Sequence, residues 1–229
     1  MTNKPTKQKK FELTENTKSL HGRTLFQIRA LISFADVREG DLGGWVEKEE
    51  NLSQEDNAWV YDDACVFQNG RVSGNGQVDG SSRVSGNSRV RGNSRVSGHS
   101  LVTDNAEVYF HSLVTGNSRV RGNSRVSGNS CVFQNSHISG NSLVSGDSCV
   151  FENGRVSGNG QVDGDSRVSG NSCVFGNSLV TGYSRVSGNS QVSGDSRVSG
   201  NSQVSGCARV FANGRVSGNS LVTDDAKVF

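Results

Sequence analysis

The stretch Ser118-Arg119-Val120-Arg121-Gly122-Asn123-Ser124-Arg125-Val126-Ser127-Gly128-Asn129 states one six-residue unit twice. The unit is a small residue, a long polar one, Val, a polar one, Gly and Asn. Followed outward in both directions, Val stands at 60, 66, 72 and every sixth residue to Val228, twenty-nine positions with Ile138 as the sole replacement. Nothing is inserted or lost along that run. Two residues before each spine position sits a small residue: Ala58, Ala64, Gly70 and Gly76 first, then mostly Ser, as at 82, 88, 94 and 118.

A chain of 229 residues with 29 Gly and one Pro, rich in Ser and Asn, has the composition of a flexible linker. The strict phase contradicts that. Side chains alternate along a strand, so the small residue and Val share one side while the residues between and after them share the other. Gly accepts a positive φ, and Asn is among the few other residues that enter the left-handed region cheaply, so the Gly-Asn pair is read as a corner. One short strand cannot cover its own apolar side. Coiling the chain so that successive turns stack gives a continuous core and a continuous backbone ladder, which is a solenoid.

On these residues the chain resembles the hexapeptide-repeat family over 58–229. The resemblance implies an all-β fold, a left-handed parallel β-helix of triangular section with three units per coil. Residues eighteen apart then stack. About nine and a half coils at roughly 4.8 Å each make a rod about 45 Å long. The inward Ser hydroxyls need partners, and neighbouring carbonyls or one another are the candidates.

Residues 1–10 are polar and Lys-rich and are expected to form a flexible arm. Residues 11–57 are expected to form a β cap with one irregular coil. Phe11 and Leu13 alternate with polar residues, and Phe26, Ile28, Ala30, Ile32 and Phe34 form a second alternating set, which predicts two strands. Val46 and Leu52 keep the spacing of six, but Leu52 and Val60 are eight apart. A cap has a task here, because an uncovered solenoid end exposes strand edges. Residues 25–67 resemble the start of the enterobacterial YdcK-like proteins, most at Gly43-Gly44-Trp45-Val46, Asn51-Leu52-Ser53 and Trp59-Val60-Tyr61-Asp62. Those are hexapeptide-repeat proteins named as transferases, so the resemblance implies a shared architecture more than a reaction.

The formal charge of +2 gives no general reason to expect nucleic acid or a membrane surface as partner. No apolar run approaches the roughly 18 residues of a membrane span, and the start lacks a secretion signal, so a cytoplasmic location is expected. The five scattered Cys suit reduced thiols, in keeping with that compartment.

Many hexapeptide-repeat proteins transfer an acyl group from acyl-CoA with a His as base, often aided by an inserted loop. The unbroken Val spacing leaves no place for such a loop. His21 falls in the cap, His99 and His111 take the corner position usually held by Asn, and His137 precedes Ile138. If the chain is an enzyme, His99, His111 and His137 are the candidates. Some members hold zinc between subunits through three His; here His99 and His137 are about two coils apart, roughly 10 Å, too far to share one ion. Cys131 and Cys149 stack, Cys65 and Cys173 lie on another face, and Cys207 is at a corner; a single stacked pair is no zinc site.

Twelve Arg precede spine residues, but sorting them by eighteen scatters them over all three faces, with Glu107 between Arg89 and Arg125. A solvated surface is expected rather than an anion-binding stripe. Phe133 and Phe151 should stack on one face and Phe211 and Phe229 on another, unusual features on a polar rod. An ice-binding face would want a flat array of Thr, which the mixed outward rows do not supply. The leading expectation is a non-enzymatic structural or scaffolding rod, with no cofactor, that associates with itself through the edge at Val228-Phe229 and through Phe133, Phe151, Phe211 and Phe229. The alternatives are an acyltransferase using acetyl-CoA or another acyl-CoA at a subunit interface, and an anion-binding module using outward Arg.

Overall fold

In the computed structural model, which describes residues 8–229, each unit contributes a two-residue strand, from Trp59–Val60 through to Lys227–Val228. Strands eighteen residues apart pair in parallel and set spine residue on spine residue: Val78, Val96 and Val114 in one column, Val120 and Ile138 in another. The result is a left-handed parallel β-helix of three sheets, with thirteen, ten and nine strands once the cap is counted. The first face carries Cys65, Arg83, Leu101, Arg119 and His137 outward, the second Arg71, Arg89, Glu107 and Arg125, and the third Gln77, Arg95, Leu113, Cys131 and Cys149.

The corners explain the sequence unit. The residue two places after each shaft Val takes a positive φ, as at Gly122 (+74°) and Gly140 (+74°), so Gly is the default there. The Asn that follows does something other than enter the left-handed region, with Asn135 (φ 54°) the exception. Its side-chain amide donates to the residue eighteen positions on. From Asn69 through 87, 105, 123, 141, 159 and 177 to Asp195, such bonds of 2.8–3.1 Å run without a break along the corner between the first and second faces. At Gly70 the inward position is tight, since even a Cβ would lie 2.8 Å from the Val84 carbonyl oxygen, and elsewhere along the shaft it holds nothing larger than Ala or Ser.

Every spine residue from Val60 to Val210 is fully buried or within 1% of it. Each such side chain contributes about 1.5–3 kcal/mol against the entropy of ordering the chain. The inward Ser hydroxyls are satisfied by carbonyls, the first of the two partner types expected: Ser94 Oγ donates to Arg91 O at 2.8 Å and reaches Val108 O on the next coil at 3.2 Å. Among the described residues Ser100 Oγ is the one buried side-chain polar atom left without a partner.

The cap joins an antiparallel hairpin to this parallel ladder. Strands β1 (Phe11–Leu20) and β2 (Arg23–Ala30) form the hairpin. Strand β3 (Leu42–Val46) then pairs antiparallel with β2, at Phe26 and Val46, and parallel with Cys65–Val66. Gly43 and Gly44 permit that crossing, since a Cβ on either would meet the Val60 or Ala64 carbonyl oxygen at 2.6–2.7 Å. The irregular coil is also visible in register: Val46 faces Val66 and Leu52 faces Val72, both twenty apart, whereas Val60 faces Val78 at the regular eighteen. The extra two residues lie between Leu52 and Val60. The second expected strand is shorter than its alternation suggests. It ends at Ala30, because the chain reverses at Phe34–Val37, where Ala35 adopts φ 46°.

The arm expected over residues 1–10 falls largely outside the described residues, and at its last residue the expectation needs correcting. Lys10 is 2% exposed, its ammonium donating to the carbonyls of Glu55, Asp56 and Ala58. These groups come from the insertion in the irregular coil, so Lys10 ties the hairpin to it. Phe34 and Phe11 pack edge-on against the buried Trp59, closing the end of the core. Burial pushes the Lys10 ammonium down to about 8, against a smaller opposing pull from Asp56. In the unfolded chain it titrates near 10.4, so between about pH 8 and 10 the unfolded state binds more protons and folding gains as pH rises. Wild-type stability is therefore expected to climb relative to Lys10→Met over that window in paired urea melts; a constant difference between the two proteins would refute the buried ammonium.

Candidate functional site

The irregular coil raises a rim above the second face. The 3-10 turn Glu49–Asn51 and the following Leu52–Gln54 form one wall of a groove of about 550 Å³, and Arg71, Arg89 and Arg91 form the other. Its charges are answered in part locally. Lys9 Nζ pairs with Glu49 at 2.5 Å, and Glu107 receives Arg89 at 3.6 Å and Arg91 at 3.4 Å. The Arg91 guanidinium lies 5.0 Å from the Tyr109 ring centre. Exposed pairs of this kind contribute about 0–1 kcal/mol each, and with one carboxylate shared by Arg89 and Arg91 and no ion pair on Arg71 among the described residues, the Arg wall keeps a net positive charge.

A second polar cluster pins the cap loop to the third face. Tyr61 Oη donates to Asp36 Oδ1 at 2.8 Å, and Arg95 Nε donates to the nearly buried Asp79 at 2.5 Å. Burial first, then the hydrogen bond to Asp36 and its charge, hold the Tyr61 phenol well above its ordinary range. Such a phenol is a poor base and a good fixed donor.

The structure keeps the candidate histidines apart. His21 is at the hairpin tip with φ 52°, its Nε2 3.5 Å from Arg83 and its ring 6.3 Å from Phe67. His99 sits on the corner between the third and first faces, its N–H bonded to Gly116 O. His111 joins the corner between the second and third faces, where the Asn93 amide lies 2.8 Å from its Nε2. His137 is half-buried on the first face between Arg119 and Arg155. Burial, then Arg119, Arg155 and Arg121, lower its pKa and favour the neutral ring. Among the described residues no three His, Cys, Asp or Glu side chains group as metal ligands.

Register fixes the outward rows. The twelve Arg divide as Arg83, Arg119, Arg155 and Arg209 on the first face, Arg71, Arg89, Arg125, Arg197 and Arg215 on the second, and Arg95, Arg167 and Arg185 on the third. Phe133 and Phe151 stack with ring centres 5.1 Å apart and planes 6° from parallel. Phe211 and Phe229 meet at 4.4 Å with planes 60° apart. Beside the first pair run Leu113, Cys131 and Cys149 in successive strands, with Thr115 in the Phe row. This flat, half-buried set of six is a local apolar patch in the middle of the third face. Phe110 (59% exposed), its ring 5.0 Å from that of Tyr109, and Tyr183 (66%) stand out at corners, where the unit pattern marks Gly and Asn and gives no hint of an aromatic.

No protein-family model matches the chain, and no curated protein matches it. Among the described residues no helix is long and apolar enough to cross a membrane. What the fold itself offers is a parallel β-solenoid with a small cap.

Proposed function

We propose that this chain is a non-enzymatic scaffolding rod of the hexapeptide-repeat kind, which associates with further copies of itself through its third face. One observation carries this reading: the Phe133–Phe151 stack, flanked by Leu113, Cys131 and Cys149 on a flat sheet face. Aromatic stacking adds about 0.5–1.5 kcal/mol per pair beyond area, and a flat apolar face suits the flat face of another rod better than it suits a small ligand. The shaft supports the same reading. Every corner between Val60 and Val228 is of one length, and much of the corner surface is already committed to side-chain ladders. The second pair, Phe211 and Phe229, is a further contact point on the first face. The edge of the last coil is a template that a strand of this polypeptide or of another would extend equally well.

Sedimentation velocity with negative-stain microscopy over a concentration series tests the proposal. Wild-type protein is expected to form species larger than one chain. The double variant Phe133→Ser/Phe151→Ser, altered only at outward positions, should keep its circular dichroism and shift toward single chains. Single chains at every concentration, or assembly untouched by the double variant, would defeat it. Thermal stabilisation by acetyl-CoA would point to acyl transfer instead.

A further inference from the structure

We propose that Cys131 and Cys149 form a two-thiolate site for a soft monovalent d10 metal ion, with Cu(I) as the natural probe. The two residues are direct partners in adjacent parallel strands and are both half-exposed, with their side chains outward on the third face. Of the five cysteines they are the one pair in such register. Cys65 is buried between Trp45 and Arg83, Cys173 lies between Arg155 and Gln191, and Cys207 is at a corner.

Magnitudes decide what such a pair suits. In-register parallel strands are about 4.7–4.9 Å apart. That spacing also falls within the roughly 4.4–6.8 Å Cα separation of a disulfide, so oxidation of the pair competes with metal binding and the thiols must be kept reduced. With the zinc–thiolate length of about 2.3 Å as a guide, a linear sulfur–metal–sulfur unit spans about 4.6 Å, close to the coil spacing. The ion would then sit between two parallel, outward-pointing thiolates in linear coordination. Thiolates select soft ions, and Zn(II) asks for four donors where this site has two.

The surroundings favour the same charge and polarity. Phe133 and Phe151 form an apolar wall beside the pair and Leu113 stacks before Cys131. Arg167 stands in register after Cys149 and faces the net negative charge of a bis-thiolate Cu(I) complex. On binding, two S–H bonds break, two Cu–S bonds form and two protons leave to solvent; copper keeps its oxidation state.

The test is anaerobic titration of the full chain with Cu(I) against bicinchoninate as competing chelator. Wild-type protein is expected to withhold one copper per chain while sedimenting no faster than before, with X-ray absorption reporting two sulfur neighbours. Cys131→Ser and Cys149→Ser, each checked by circular dichroism, should each weaken retention by about a hundredfold or more through loss of chelation, and Cys173→Ser and Cys207→Ser should not. The assignment fails if bicinchoninate strips all copper from wild type. It fails equally if a folded Cys131→Ser or Cys131→Ala protein keeps its copper, if the ion joins two chains, or if absorption shows nitrogen or a third sulfur.

Discussion

Val144→Asp is expected to unfold the middle of the rod. Val144 has no solvent exposure and stacks between Val126 and Val162, and the inward hydroxyls of Ser130 and Ser142 are already committed to backbone carbonyls. A buried, unpaired charge falls in the class of substitutions that cost more than about 4–5 kcal/mol, whether the group ionises or is forced to bind a proton. The damage has a direction. Each coil of a solenoid touches only its neighbours, so the coils after residue 144 lose their template while those before it remain held by the cap. Limited proteolysis with mass spectrometry should recover a resistant amino-terminal fragment ending near residue 144, alongside a reduced β signal in circular dichroism. Val144→Thr, which adds a hydroxyl at nearly constant volume, is expected to cost about 1–2 kcal/mol and leave the rod whole. A Val144→Asp protein with wild-type melting would mean that the spine is not the core.

Gly140→Val ranks second, at about 3 kcal/mol, because two penalties coincide. Gly140 has φ +74°, where a β-branched residue is strained by about 1–3 kcal/mol, and a Cβ there would lie 2.6 Å from the Gly158 carbonyl oxygen on the next coil. Gly22 isolates the first penalty. It too has φ +74°, but nothing lies within 4 Å of an added Cβ, so Gly22→Ala should cost only about 1 kcal/mol. The chain shows how a side chain is admitted at the corner position. Asp104 and Glu152, at φ 65° and 59°, accept hydrogen bonds from the N–H groups of Gly122 and Gly170 one coil later, at 2.9 and 2.7 Å. Gly140→Asp can make the same bond to Gly158, so it is expected to be milder than Gly140→Val by about 1 kcal/mol or more in urea melts. Equal losses for Asp and Val would remove the compensating bond from the explanation.

The fold was legible because its rule is local. Six-residue spacing, a small residue two before each Val and Gly two after it each reflect a constraint met within one strand and one corner. The Gly43-Gly44-Trp45-Val46 segment drew notice in the sequence, but its reason, two carbonyl oxygens lying where Cβ atoms would be, belongs to the crossing of β3 over the first coil. Local preference marks the Asn positions as turn formers, whereas most of them act between coils, donating to a residue eighteen positions away. Lys10 looked like part of a solvated tail because its three carbonyl partners come from residues 55, 56 and 58, which no local pattern connects to it. The patch on the third face was half visible: the Phe133 and Phe151 spacing could be counted, whereas its neighbours Leu113 and Thr115 join it only through register.

Taken alone, the order of residues determined the strand, the corner and the repeat, since each is set by steric and burial preferences acting over fewer than seven residues. Tertiary structure decided how the cap converts an antiparallel hairpin into a parallel ladder and which carbonyls of the irregular coil receive Lys10. Those contacts join segments far apart in the chain, and only the packing of the cap against the irregular coil brings them together.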